Sequence, residues 1–152
     1  MEDYFPTLPE EASAPGISFS FIDVEEPDVD FGTFPSWIEA VIQHHKCSLG
    51  VLSYIFCSDS YLHRLNIEYL DHDTLTDIIT FPYANPPLVS GDLYISLDRV
   101  QDNAQDRSIP FTAELKRVII HGVLHLCGYG DKTPEEAARM RELEDEALLL
   151  SK

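Results

Sequence analysis

Val118-Ile119-Ile120-His121-Gly122-Val123-Leu124-His125-Leu126-Cys127-Gly128-Tyr129-Gly130-Asp131 is the stretch on which the fold turns. Its apolar residues continue a helical pattern that begins near Thr112 and ends at Leu126. Phe111, Leu115, Val118, Ile119 and Leu126 form much of the apolar face. His121 and His125 are four residues apart, so they project from one face on successive turns. That spacing lets both imidazoles reach a single ion at about 2.0–2.1 Å, as in helical zinc sites. Gly128 is placed to end the helix and free the chain to turn, so that Asp131 can fold back and add a carboxylate oxygen. Three protein ligands leave a fourth position open, which is the arrangement of a catalytic zinc site. Two histidines at this spacing also occur by chance; the glycine-released carboxylate and the otherwise apolar helix favour metal. The expectation is one Zn2+ per chain, held by His121, His125 and Asp131.

Working outward, the last helix is announced by Thr133 as N-cap, Pro134 at the first helical position and Glu136 completing a capping box. Met140, Leu143, Ala147 and Leu150 then recur at helical spacing. On the N-terminal side, strands are predicted at 17–24, 50–57, 77–81 and 91–97. Helices are predicted from Pro35 through Ile42 and from a Ser58 or Asp59 cap to about Tyr69. Asp71-His72-Asp73 reads as a turn. Residues 1–16, rich in Pro, Glu and Ala, read as a loose lead before a single domain over 17–152. Strands and helices interleave irregularly, which predicts an α+β fold: a small mixed β-sheet with flanking helices, zincin-like in carrying its metal site on one helix and the following loop.

The 152 residues suffice for one domain with a real core. No apolar run approaches the roughly 18 residues of a membrane span, and the longest is interrupted by His121, Gly122 and His125. No Lys or Arg occurs before Lys46, so the basic region of a secretory signal is missing and a cytoplasmic location is expected. Cys47, Cys57 and Cys127 are odd in number and lack CxxC spacing, so they read as small buried hydrophobes. The formal net charge of −17 argues against a broad basic surface for nucleic acid. A cationic partner or a bound metal would soften that conflict.

Zinc proteases carry a Glu directly after the first histidine as general base. Here that residue is Gly122, which excludes peptidase chemistry by that route and leaves metal-assisted hydrolysis of another electrophile, such as a phosphodiester.

These segments, taken together, resemble the YbeY-type rRNA-maturation endoribonucleases. His121 to Asp131 is similar to the family's His-Gly-x-Leu-His-Leu-x-Gly-Tyr-Asp-His signature. Leu65-Asn66 with Tyr69, Thr76 to Pro82, and Gly91-Asp92-Leu93-Tyr94-Ile95-Ser96 resemble three further segments, in the same order. The resemblance implies a zinc-binding, single-strand-directed endoribonuclease acting in small-subunit rRNA maturation and ribosome quality control. It implies rRNA and the small ribosomal subunit or its proteins as partners; no membrane is involved, and a monomer is expected.

Two positions depart from the family pattern. Asp131 stands where the family has a third histidine, adding negative charge at the metal. Leu70 stands where the family carries an arginine, and a leucine cannot stabilise charge developing on a phosphate. Lys132, beside the expected ligand, is the candidate for the missing cation, so His121 and Lys132 are the expected catalytic residues. Leu70 and the acidity also motivate a ribosome-associated assembly factor without catalysis, and the lack of a basic surface permits a small-molecule metallohydrolase. Asp92 could accept from a ligand histidine or simply form a strand-start turn. Thr76 and Asp77 could shape the cleft or favour a turn. His44, His45, His63 and His72 read as polar helix and turn residues, and Arg141, Glu142 and Glu144 as a solvated helix face. Arg64, Lys116 and Arg117 are too scattered to make a nucleic-acid patch.

Overall fold

A computed structural model describes residues 15–70 and 76–151. The elements run β1 (Gly16–Ile22), a 3-10 turn (Phe31–Thr33), α1 (Phe34–His44), β2 (Ser48–Cys57), α2 (Asp59–Leu70), β3 (Ile78–Pro82), β4 (Leu88–Ser96), α3 (Leu97–Arg107), α4 (Phe111–Leu126) and α5 (Pro134–Leu149). The sheet order is β1-β2-β4-β3, with β1 parallel to β2, β2 parallel to β4, and β3 antiparallel to β4. It is therefore the small mixed sheet with flanking helices that the sequence predicts.

The sheet separates two sets of side chains because strand residues alternate between its faces. Leu52, Tyr54, Phe56, Leu93 and Ile95 point to one face and join α1, α4 and α5 in the main core. Ile55, Cys57, Ile79 and Tyr94 point to the other and pack with Leu62 and Leu65 of α2. Helix α4 lies in the middle of the main core. Its buried face includes Leu115, Ile119, Val123 and Leu124, so it is pinned to the sheet along most of its length. Tyr54 Oη donates to the Ile119 carbonyl at 3.2 Å, and Trp37 Nε1 of α1 donates to the Ala147 carbonyl of α5 at 2.8 Å. These bonds satisfy polar tips of large apolar rings, which is how Tyr and Trp enter a core without an unpaired group.

One helix and the starts of two strands differ from the sequence reading. Helix α3 was not anticipated: the strand was expected to run through Leu97, but Ser96 ends it and caps a helix, accepting the N–H of Arg99 at 3.1 Å. Only Leu97, Val100 and Ala104 of α3 are buried, so its apolar stripe is too thin to stand out beside the strongly apolar β4. β2 and β4 begin earlier than expected because Leu49 and Val89 pair before a register irregularity. Most of the expected N-terminal lead and the Asp71-His72-Asp73 turn lie outside the described residues.

Candidate metal centre

Helix α4 presents His121 and His125 on successive turns, with their Nε2 atoms 3.1 Å apart. Its C-terminus then reverses the chain. Gly128 takes φ +111°, its N–H donates to the His125 carbonyl at 2.9 Å, and the Tyr129 N–H donates to the Leu124 carbonyl at 3.1 Å. This is the double-bonded Schellman ending, and its left-handed residue favours glycine. Three residues on, Asp131 Oδ2 lies 3.3 Å from His121 Nε2 and 3.4 Å from His125 Nε2. The loop is held from the far side by the capping box of α5. Thr133 Oγ1 accepts the Glu136 N–H at 3.0 Å, and Glu136 Oε1 accepts the N–H groups of Lys132 at 2.9 Å and Thr133 at 3.4 Å. The cap that starts one helix thus fixes the Asp131-bearing loop left by another.

Both imidazoles are oriented through their other nitrogens. Nδ1 of His121 donates to Glu144 Oε2 at 2.7 Å, and Nδ1 of His125 donates to the Tyr129 carbonyl at 2.8 Å. Those acceptors carry no proton, so they select the tautomers that turn the Nε2 lone pairs toward Asp131. Three acceptor atoms then converge, at separations of 3.1–3.4 Å. A tetrahedral zinc with bonds of about 2.0–2.1 Å has ligand–ligand edges of about 3.3–3.4 Å. The donor set fits such an ion in both chemistry and spacing. The side chains of His121, His125 and Asp131 are 25%, 31% and 37% exposed, so the triangle opens to solvent.

Burial works against a charged His121, but the Glu144 carboxylate, helped by Asp131 and Asp77, outweighs it and holds the imidazole above its ordinary 6.5. Burial likewise works against a charged Glu144, yet His121 and Arg117 together hold its carboxyl below the usual 4.5. Arg117 Nη1 donates to Glu144 Oε1 at 2.9 Å, so both oxygens of that buried carboxylate are occupied.

A cleft of about 680 Å³ in front of the triad brings together Leu70, Thr76, Asp77, His121, His125, Asp131 and Lys132. Leu70 is among the exposed large apolar residues, and Lys132 is exposed. Asp92 is not at the histidines. It is buried and accepts the Tyr83 hydroxyl at 2.7 Å, with burial pushing its carboxyl up. The acceptor for His121 is Glu144, so the reading of Glu144 as part of a solvated helix face is corrected. His45 is more than a polar helix residue, since its Nδ1 shares a hydrogen bond with the Tyr129 hydroxyl at 3.0 Å. Cys127 caps α4 but is not one of the converging donors, and burial, reinforced by Cys47, pushes its thiol up to about 12.

Fold and site together define a class: small α+β proteins that carry, on one helix and the loop after it, a His-His-Asp group able to hold a metal ion. The chain belongs to the family described as Endoribonuclease YbeY, whose model matches residues 21–151. Proteins named Endoribonuclease YbeY from Flavobacterium johnsoniae and Flavobacterium psychrophilum are similar to it. The first is 50% identical over 117 residues, covering 77% of this chain and 84% of its own. The second is 48% identical over 135 residues, covering 88% and 95%. A further protein of that name, from Phocaeicola vulgatus, is 46% identical over 134 residues, covering 88% and 97%. The solution structure of TM1509 from Thermotoga maritima shares the fold, with a TM-score of 0.65 at 24% identity over 89% of this chain and 88% of that one.

Proposed function

We propose that this chain is a zinc-dependent, single-strand-specific endoribonuclease acting on small-subunit rRNA in its maturation and in ribosome quality control. The observation that carries the reading is the solvent-open triangle of His121, His125 and Asp131, its imidazoles pre-oriented by Glu144 and the Tyr129 carbonyl. Membership of a family described as endoribonucleases supports RNA as the substrate. One Zn2+ held by these three donors would supply Lewis acidity toward a phosphodiester and a water nucleophile. His121 is the residue on which site assembly depends, because Glu144 fixes its ring. Lys132, lining the cleft that Leu70 also lines, supplies positive charge beside the phosphate. The protein works as a cytoplasmic monomer on the small subunit, where basic ribosomal proteins offset its own acidity. No helix among the described residues is long and apolar enough to cross a membrane.

Elemental mass spectrometry of purified wild type and His121→Ala, followed by cleavage of single-stranded RNA, tests the reading. The expected result is about one zinc per chain, lost with the activity in the variant. In the same assay Lys132→Ala should cut at least about tenfold more slowly with its zinc intact. No zinc in the wild type after metal supply, and no cleavage, would overturn the reading in favour of an assembly factor without chemistry. Ligand-site variants would then still rescue a deletion strain.

A further inference from the structure

A second cleft, of about 260 Å³, shares Asp77, His121 and Asp131 with the first and runs between α4 and α5. Arg107 from the last turn of α3, Arg117 from α4 and Arg141 from α5 line it. The whole chain has 10 Lys and Arg residues against 27 Asp and Glu, so three of the scarce cations meet in one cleft that borders the metal triad. Other cations are engaged elsewhere. Arg99 pairs with Asp59 and Asp102, Arg139 pairs with Glu142, and Lys116 lies over the rings of Phe34 and Trp37.

Four carboxylates, Asp77, Glu114, Asp131 and Glu144, line the same cleft, and Arg117 is paired with both Glu144 and Asp145, so Arg107 and Arg141 are the cations left for an anion. Glu114, with a side chain only 2% exposed, already accepts from Arg107 Nη1 at 2.8 Å, while the Arg107 side chain remains 48% exposed. Glu144 is spent on His121 and Arg117. Asp131 is turned toward the histidines. Arg141 forms no ion pair among the described residues and lies at the mouth of the cleft, on the exposed face of α5. A guanidinium carries five N–H donors suited to phosphate oxygens, and Arg107 commits one of them to Glu114.

We infer that this cleft is an anion subsite, holding the phosphate of the RNA strand next to the one positioned at the triad. The inference rests on the nuclease reading above. It also gives a chain of charge −17 a local hold on RNA, through Arg141 and the exposed part of Arg107 beside the triad, in place of a basic face. Arg141 and the exposed part of Arg107 contact the phosphate, and Glu114 keeps Arg107 in place.

The test pairs a protein change with a substrate change. A short single-stranded RNA is prepared with its natural backbone and with one uncharged methylphosphonate beside the scissile linkage, on either side in turn. Zinc-loaded wild type and Arg141→Gln are compared on each, with zinc content checked in both. For wild type, the methylphosphonate at one flank should raise KM about tenfold, the size of a lost charge-assisted hydrogen bond. Arg141→Gln should raise KM for the natural RNA severalfold and shrink the methylphosphonate penalty, because one of the two contacts to that phosphate is already gone. Arg107→Gln should behave likewise. Equal methylphosphonate penalties in wild type and Arg141→Gln, with wild type cutting normally, would overturn the subsite and leave the nuclease reading standing. A wild type that cuts no RNA with any metal would sink the nuclease reading itself. Anisotropy with the same oligonucleotides would then decide the cleft, and identical affinities for wild type and Arg141→Gln would overturn it.

Discussion

A third histidine at position 131 would close the triad with a neutral donor, whereas the aspartate closes it with a charged one. Negative charge on a ligand weakens the Lewis acidity of an ion held there and favours harder ions. Asp131→His should therefore move the acid limb of the cleavage–pH profile toward lower pH. A shift of about one unit corresponds to about 1.4 kcal/mol of charge interaction. Superimposable profiles would mean that the carboxylate leaves the chemistry unchanged. Glu144 makes a separate prediction in chelator. Its carboxyl is held below 4.5, so its contribution to stability is complete above that value and lost as pH falls through the lowered one. His121 is held above 6.5, so its contribution is complete below that value and lost as pH rises through the raised one. The pair therefore stabilises most between pH 4.5 and 6.5. Glu144→Gln should cost about 1–2 kcal/mol in that window, with the deficit shrinking at alkaline pH. Thermal melts of both proteins across pH check this, and a deficit that grows above pH 8 would contradict it.

At the scale of elements, α4 is what joins core to site, and at Gly122 it lies directly against side chains of the sheet. A Cβ built there would lie 2.4 Å from Leu93 Cδ2 and 2.8 Å from Ile78 Cδ1, and Leu93 is fully buried. Any side chain at 122 would start into the sheet, which adds a steric reason for the absence of a protease-type glutamate. Gly122→Ala should lose about 1 kcal/mol in urea unfolding, because overpacking exceeds the propensity that alanine brings. A gain of that size would show that the helix has slack against the sheet. The same helix was legible in the sequence because its apolar period, its two histidines and its glycine stop all lie within one local stretch. The capping box of α5 was legible for the same reason. Glu144 was not, since its neighbours Arg141 and Glu142 are charged and exposed, and only the packing of α5 across α4 sets it beside His121. Helix α3 escaped because Leu97, Val100 and Ala104 are its sole buried residues, and Ser96 looks like one more strand residue until its hydroxyl is seen accepting from Arg99.

Taken whole, the molecule must approach a polyanion while carrying a formal charge of −17. Two effects of salt then act in opposite directions. Counterion release weakens binding in proportion to the phosphates neutralised, but only a few cations are available here to neutralise any. Screening removes the long-range repulsion between protein and RNA, since the Debye length falls from about 30 Å at 0.01 M to about 8 Å at 0.15 M. For a nuclease with a basic face the first effect dominates, and association slows as salt rises. For this chain the second should dominate at low ionic strength. The association rate with a single-stranded RNA, measured by stopped-flow fluorescence, should rise between about 0.01 and 0.15 M salt and fall only beyond it. A monotonic fall from the lowest salt would mean that attraction to the arginine cleft reaches further than the net charge repels. RNA recognition would then be steered from a distance, instead of beginning only when the strand meets the His-His-Asp triad and its neighbouring cleft.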